Sequence, residues 1–385
     1  MDNLLLIPGP TMVPEEVSRA VARPMISHRS SECSTLFREI REGLVPFFGG
    51  EGEILLFPSS GTGMMESALA NLFSPGDRVL AVVMGAFGRR FAHLARSFGL
   101  EVEAYELPPG EAPTFEDVLR RLRNGRFRGV LLTHNETATG TFLHLSEVSA
   151  PLVERGYIVA VDGVSSVGGM PVEAARAKSH VIVTASQKAL MSPPGVGVAF
   201  VSPEAWEEVE KARLPRYYWN YLQAREAAAR GQTPYTPAVG IWFGLREALR
   251  LLGAEGREKV FLRHRLLGQA VRTGLLALGF RLLAREEAAS PVVTAVYPPE
   301  GVEAPAIIRL LKERFGVVVA GGQDELQGLI IRVAHMGAVR WPHLERFFRA
   351  LEAVLGELGR GERGGLEAAE GVLRGQEKAS LTALP

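Results

Sequence analysis

Sulfur, lysine and net charge are all scarce in this chain. Its 385 residues hold one cysteine, Cys33. A single thiol cannot build an intrachain disulfide framework and fits a reducing compartment, so a cytoplasmic location is expected. Acidic and basic side chains balance at 43 each. No basic stripe stands apart from the helical surfaces, which gives no reason to expect nucleic acid or a membrane surface as partner. Long apolar runs are missing as well: Leu4-Leu5-Leu6-Ile7 is cut short by Pro8-Gly9-Pro10, so neither a secretory signal nor a spanning helix is expected. The eight histidines show no His-Glu-x-x-His spacing, and no metal site is expected.

The scarcity of lysine makes one of them conspicuous. Of six lysines, Lys178, Lys211, Lys259, Lys312 and Lys378 have charged or polar neighbours, as solvated surface lysines do. Lys188 instead ends the run Val181-Ile182-Val183-Thr184-Ala185-Ser186-Gln187-Lys188. An amine held where its charged form is poorly solvated loses basicity, and a partly neutral amine is what a Schiff base with an aldehyde requires. The plainer alternative is a lysine past a strand end that snorkels to water.

Two other segments keep company with it. Tyr157-Ile158-Val159-Ala160-Val161-Asp162-Gly163 reads as a buried strand with a carboxylate at its carboxyl end. In open parallel α/β sheets ligands bind beyond the carboxyl ends of the strands, which would bring Asp162 and Lys188 into one crevice. The alternative for Asp162 is a turn or helix N-cap, which Asp-Gly favours. Glu53 to Glu66 reads as strand, glycine loop and helix, with Ser59-Ser60-Gly61-Thr62-Gly63 in the loop. Backbone amides at such a helix start, with small hydroxyls beside them, suit a phosphate. A dinucleotide fingerprint wants a third glycine where Glu66 stands, and a Walker loop wants a Gly-Lys-Ser/Thr that does not follow. Pyridoxal phosphate needs a lysine for its aldehyde, an acid beside its ring nitrogen and an anion cradle, and the three segments supply them in turn.

With these motifs the chain resembles the class V, fold type I, pyridoxal-phosphate aminotransferases, in particular the alanine-glyoxylate and serine-pyruvate branch. The likeness runs from Pro8-Gly9-Pro10-Thr11 to about residue 355 and is carried by Ser59 to Gly63, Thr133-His134-Asn135-Glu136-Thr137-Ala138-Thr139-Gly140, Val161 to Ser166 and Ser186-Gln187-Lys188. It implies pyridoxal 5'-phosphate as cofactor and transamination between a small amino acid and a 2-oxo acid such as glyoxylate or pyruvate. Lys188 would be tether and proton shuttle, with Asp162 as the second catalytic residue. Ser60, Gly61 and Thr62 would hold the phosphate, Phe87 would stack on the ring, and Thr137, Val164 and Gln187 would touch the cofactor. Gly9 and Arg332 would meet the substrate. Arg332 lies in the apolar run Leu329 to Gly337, where a guanidinium needs a carboxylate partner. Its planar fork suits bidentate capture of an α-carboxylate, and an intramolecular salt bridge is the alternative. The likeness also implies a homodimer in which Thr236, in Thr233-Pro234-Tyr235-Thr236-Pro237, reaches the neighbour's phosphate.

The expected fold is α/β: a large domain with a mostly parallel sheet of the seven-stranded type covered by helices, and a smaller C-terminal α+β domain. Strands are expected at Arg78–Met84, Gly129–Thr133, Ile158–Asp162, Val181–Thr184 and Val196–Val201, then at Val292–Tyr297, Val317–Ala320 and Leu329–Ala334. A helical linker is expected at about Pro237 to Leu276. Residues 1–16 should pack at the active site or small domain, 17–255 form the large domain, 256–358 the small one, and 359–385 a mobile tail in which Leu366–Leu373 is a candidate short helix. Three other readings stay open. An acidic donor such as aspartate, phosphoserine or a phosphonate would suit Arg29, if that side chain lines the substrate pocket. A desulfurase would need a placed thiol late in the chain, where none stands. A non-enzymatic accessory subunit would have no use for the cofactor residues.

Overall fold

β-Branched and other apolar residues fill the central strands without interruption. The computed structural model describes residues 3–361, 363–374 and 381. Every residue of Gly129–Thr133, Ile158–Asp162 and Val181–Ala185 is buried, the mark of strands covered on both faces. The seven-stranded sheet runs in the order Glu53–Ser59, Gly195–Val201, Val181–Ala185, Ile158–Asp162, Gly129–Thr133, Arg78–Val83, Glu101–Glu106. Only Gly195–Val201 is reversed, pairing antiparallel with both neighbours. The other six strands therefore end at one edge.

Alternation along the strands sorts their side chains into two cores. Leu80, Val82, Val159, Val161 and Ile182 pack with Phe37, Leu44 and Phe48 from the helix Ser31–Phe48 and with Trp242 and Leu245 from the helix Val239–Glu255. On the opposite face Val79, Ala81, Ile158, Ala160 and Val183 meet Met65, Leu69 and Phe91 from the helices Gly61–Leu72 and Ala86–Ser97. Burial of such side chains contributes roughly 1.5–3 kcal/mol each.

A second sheet has the order Leu4–Leu6, Val317–Gly321, Ile331–Ala334, Val293–Tyr297, Arg281–Leu282. Leu4–Leu6 joins it in parallel, Leu4 opposite Val317. Its core takes Ile307 and Leu311 from the helix Ala304–Phe315, with Phe347, Phe348 and Leu351 from Trp341–Glu357. The expected linker is two helices, broken at Gly256, whose φ of +88° lies in the left-handed region that glycine tolerates. Within the second, Arg257–Ala277, Val260 and Phe261 belong to the large sheet's core, and Leu267, Ala270 and Val271 to the small one's.

The expected mobile tail is corrected in part. Gly365–Leu373 is a helix with Ala369 and Leu373 buried in the small core. It seats against Arg257–Ala277 at a glycine: a side chain on Gly365 would come within 2.5 Å of Leu278. Residues 375–380 and 382–385 of that tail lie outside the described residues. No helix among the described residues is long and apolar enough to cross a membrane.

Candidate active site

The shared carboxyl edge of the six strands gathers most of the residues singled out in the sequence. Asp162 closes its strand and is 4% exposed. Its Oδ1 accepts from the Val164 amide at 2.9 Å. Burial raises its carboxyl to about 6, against the opposing pull of that amide and of the charges on Lys188 and Arg90. Lys188 stands three residues past the neighbouring strand. Burial lowers its amine to about 8, while Asp162 works the other way and Arg332 and Arg90 push in the same direction. The Lys188 Nζ donates to the Pro8 carbonyl.

The amino terminus is folded around that lysine. Thr11 donates its backbone N–H to the Gln187 carbonyl at 3.0 Å and its hydroxyl to the Lys188 carbonyl at 2.9 Å. Gly9, with φ of +108°, lies so near that a β-carbon there would sit 2.5 Å from Lys188 Cδ and Nζ. Any side chain there would be strained at that φ and would push the lysine aside.

The glycine loop opens the helix Gly61–Leu72, with Ser60 as N-cap receiving the Gly63 amide at 3.5 Å. A β-carbon on Gly61 would lie 2.7 Å from Val164 Cγ2, which joins the loop to the Asp162 segment. Arg90 reaches the same place: its Nη1 is 3.4 Å from Thr62 Oγ1, and its guanidinium lies 4.8 Å from the centroid of the half-buried Phe87 ring. Ser60, Thr62 and the start of a helix make a cradle of donors for an anion. Gln187 Oε1 is buried with no hydrogen-bond partner, an acceptor that protein atoms leave unused.

For Arg332 the alternative of an intramolecular salt bridge is not met. The side chain is buried, yet no carboxylate lies within ion-pair distance among the described residues. Its Nε donates to the Gly321 carbonyl at 2.7 Å, and its Nη1 to the Thr137 carbonyl at 3.1 Å and Gln323 Oε1 at 3.2 Å. Burial lowers its basicity, and Glu136 opposes that. Two edges of the fork are thus spoken for, and Nη2 remains. The bidentate grip expected of this residue narrows to that one nitrogen while Gln323 stays in place.

Glu136 and Arg90 join the site with no local sequence pattern to mark them. Glu136 is fully buried; its Oε2 accepts from the Phe87 and Gly88 amides at 2.9 and 3.1 Å, its Oε1 from Ala138 at 3.0 Å. It caps the helix Ala86–Ser97, whose N-cap, Gly85, has no side chain to do so. Burial pushes its carboxyl up to about 7 against those three amides, and the charge of Asp162 adds to the rise.

Two residues stand apart from the cluster. Thr236 is exposed. Arg29 donates from Nη1 to Gln232 Oε1 and the Thr233 carbonyl, both at 2.9 Å, and from Nη2 to the Pro234 carbonyl at 3.3 Å. That guanidinium ties its helix start to the segment that carries Thr236. Cys33 is buried within Ser31–Phe48, and burial raises its thiol. It is no placed thiolate.

Comparison with known proteins agrees with the geometry. A family model described as Aminotransferase class-V matches residues 7–342. The soluble hydrogenase 42 kDa subunit of Anabaena cylindrica is 39% identical over 360 residues, 92% of this chain and 94% of that protein. Serine-glyoxylate aminotransferase of Methylorubrum extorquens is 38% identical, covering 87% of this chain and 86% of its own. L-aspartate-glyoxylate aminotransferase of Paracoccus denitrificans is 37% identical over 93% and 92%. The crystal structure of alanine-glyoxylate aminotransferase from Nostoc sp. matches with a TM-score of 0.89 at 30% identity, covering 92% of this chain and 96% of that one.

Proposed function

Because the chain belongs to the class V aminotransferases, we propose that it moves an amino group between a small amino acid, such as alanine or serine, and glyoxylate or pyruvate, with pyridoxal 5'-phosphate. The observation that carries this reading is the pair at the strand ends, a buried amine lowered to about 8 facing a buried carboxylate beside a helix N-terminus. The residues fit the cofactor: an anion cradle, an unused buried acceptor at Gln187 and a glycine that leaves room beside Val164. When bound, the cofactor supplies an aldehyde that condenses with amines and a ring that takes up electrons released at the α-carbon.

Ser60, Gly61 and Thr62 would hold its phosphate, and Asp162, kept in orientation by the Val164 amide, would set a negative charge toward the ring nitrogen. Phe87 would lie against the ring, and aromatic contacts of this kind contribute roughly 0.5–1.5 kcal/mol beyond area burial. Thr137, Val164 and Gln187 line the remainder. Lys188 Nζ, partly neutral near pH 8, is the nucleophile toward an aldehyde and, when free, the base that takes the substrate's α-proton. Arg332 Nη2 fixes the α-carboxylate so that the reacting C–H bond faces that base. Gly9 leaves the space in which Lys188 moves.

With Arg29 engaged elsewhere, an uncharged donor side chain is the better fit than an acidic one. Thr236 serves the neighbouring subunit of a homodimer, where its exposed hydroxyl reaches the partner's phosphate. A free, buried Cys33 suits a cytoplasmic protein. The domain division follows the two sheets, with residues 1–16 tying one to the other. The test is a panel of donors (alanine, serine, aspartate, phosphoserine) against glyoxylate, pyruvate and 2-oxoglutarate, run on the purified yellow protein and on Lys188→Ala. Turnover with alanine or serine and none in the variant is the expected result; full activity in Lys188→Ala would sink the assignment. A colourless protein that takes up no cofactor would favour an accessory subunit.

A further inference from the structure

We propose that Arg89, Asp324 and Glu325 form a latch between the two sheets which fixes Arg332 and so sets how tightly a substrate carboxylate is held. The inference rests on the reading of Arg332 as the carboxylate-binding residue. Arg89 lies two residues after Phe87, on a helix of the large sheet. Its Nη1 donates to Asp324 Oδ2 at 2.8 Å and to Glu325 Oε2 at 3.4 Å, and its Nη2 to Glu325 Oε1 and Glu106 Oε2, both at 3.4 Å. Glu106 ends the edge strand of the large sheet, and Asp324 and Glu325 form a turn directly after a strand of the small one. One guanidinium therefore spans both bodies.

The turn is built to transmit that hold. Asp324 has φ of +49°, a left-handed conformation that Asp and Asn adopt more readily than other side chains. A side chain at Gly322 would collide with the Leu326 carbonyl, so residues 322–326 are closed tightly on themselves. Gly321 and Gln323, on either side of that glycine, are the two residues of the small sheet that grip Arg332 Nε and Nη1. The third grip, the Thr137 carbonyl, comes from the segment that follows the large sheet's strand Gly129–Thr133. With the latch shut, all three acceptors are in register and Nη2 points one way. With it open, Arg332 keeps its small-sheet partners and loses its alignment with Lys188. Arg89, Asp324 and Glu325 are thus positioning residues.

The pairs are partly exposed, with side-chain exposures of 26% for Arg89 and 50% for each acid. Surface pairs contribute little and weaken in salt, so the effect is modest. Arg89→Ala should raise KM for alanine or serine about three- to five-fold, change kcat less than about twofold, and weaken binding of propionate, an unreactive carboxylate measured by calorimetry, by a similar factor. The double variant Asp324→Asn, Glu325→Gln keeps the left-handed residue and should do the same. Adding it to Arg89→Ala should cost nothing more, and Arg89→Lys should recover part of the loss. High salt should narrow the gap between wild type and Arg89→Ala.

Additive effects of the two sides would overturn the latch. So would unchanged KM and propionate affinity in Arg89→Ala when Arg332→Ala loses both, a result that leaves Arg332 in its role. A lower melting temperature without a change in KM or propionate affinity would likewise reduce Arg89 to a stabilising pair. If Arg332→Ala binds propionate as wild type does, the reading of Arg332 falls and the latch with it.

Discussion

At the scale of single residues, the site works by shifting protons through burial. Lys188 and Asp162 could be read from the sequence because each breaks a local pattern, an amine or an acid at the end of an apolar run. Glu136 could not, since its partners Phe87 and Gly88 lie 49 and 48 positions away and nothing in its own neighbourhood announces them. In cofactor-free protein the rate at which Lys188 reacts with an added aldehyde should rise with a midpoint near pH 8. Asp162→Asn should move that midpoint lower still, because the carboxylate holds the amine's proton on; a midpoint above the ordinary lysine value would contradict the geometry. For Glu136 the folded state binds the proton more tightly than the unfolded chain. Its contribution is whole below about pH 4.5 and fades as pH rises toward 7, a loss of roughly 3 kcal/mol at most. Wild type should therefore lose stability relative to Glu136→Gln across that window, read from melting temperatures of the cofactor-free protein.

Among the elements, strands buried on both faces announced themselves by composition, and the observed limits of Gly129–Thr133 and Ile158–Asp162 match those expected. Glu101–Glu106 escaped notice because an edge strand carries charge: its sequence Glu-Val-Glu-Ala-Tyr-Glu has no fully buried residue. Leu4–Leu6 was too short to read alone, and its partner strand begins at Val317. Glycines show where elements touch. Gly61→Ala should weaken cofactor binding, since its new methyl meets Val164, and adding Val164→Ala should restore much of it. Equilibrium dialysis of the phosphate-bearing cofactor would show whether the second change compensates. Removing residues 363–385 should lower stability by a few kcal/mol, given the apolar burial of Ala369, Leu373 and Leu381. An unchanged melting temperature would mean the helix Gly365–Leu373 is only resting on the surface.

For the whole molecule, the decisive arrangement is that two sheets and, in the proposed dimer, two chains each supply part of one site. That much was carried by family likeness rather than by local pattern, because no spacing within one chain encodes what a neighbour contributes. Mixing Lys188→Ala chains with Thr236→Glu chains, after gentle dissociation and reassociation, should restore activity that neither has alone, since half of the sites in mixed dimers would be intact. No recovery would place Thr236 in its own subunit's business or in none. The amino-terminal strand carries a consequence for how the protein is made. Leu4–Leu6 leaves the ribosome about 310 residues ahead of its partner, and its place in the small sheet does not exist until Val317–Val319 has been synthesised. At about 5–20 residues per second, that is roughly 15–60 s of waiting. The same segment then folds Pro8, Gly9 and Thr11 around Lys188, so the reactive amine gains its final surroundings only after Val317–Val319 has been made.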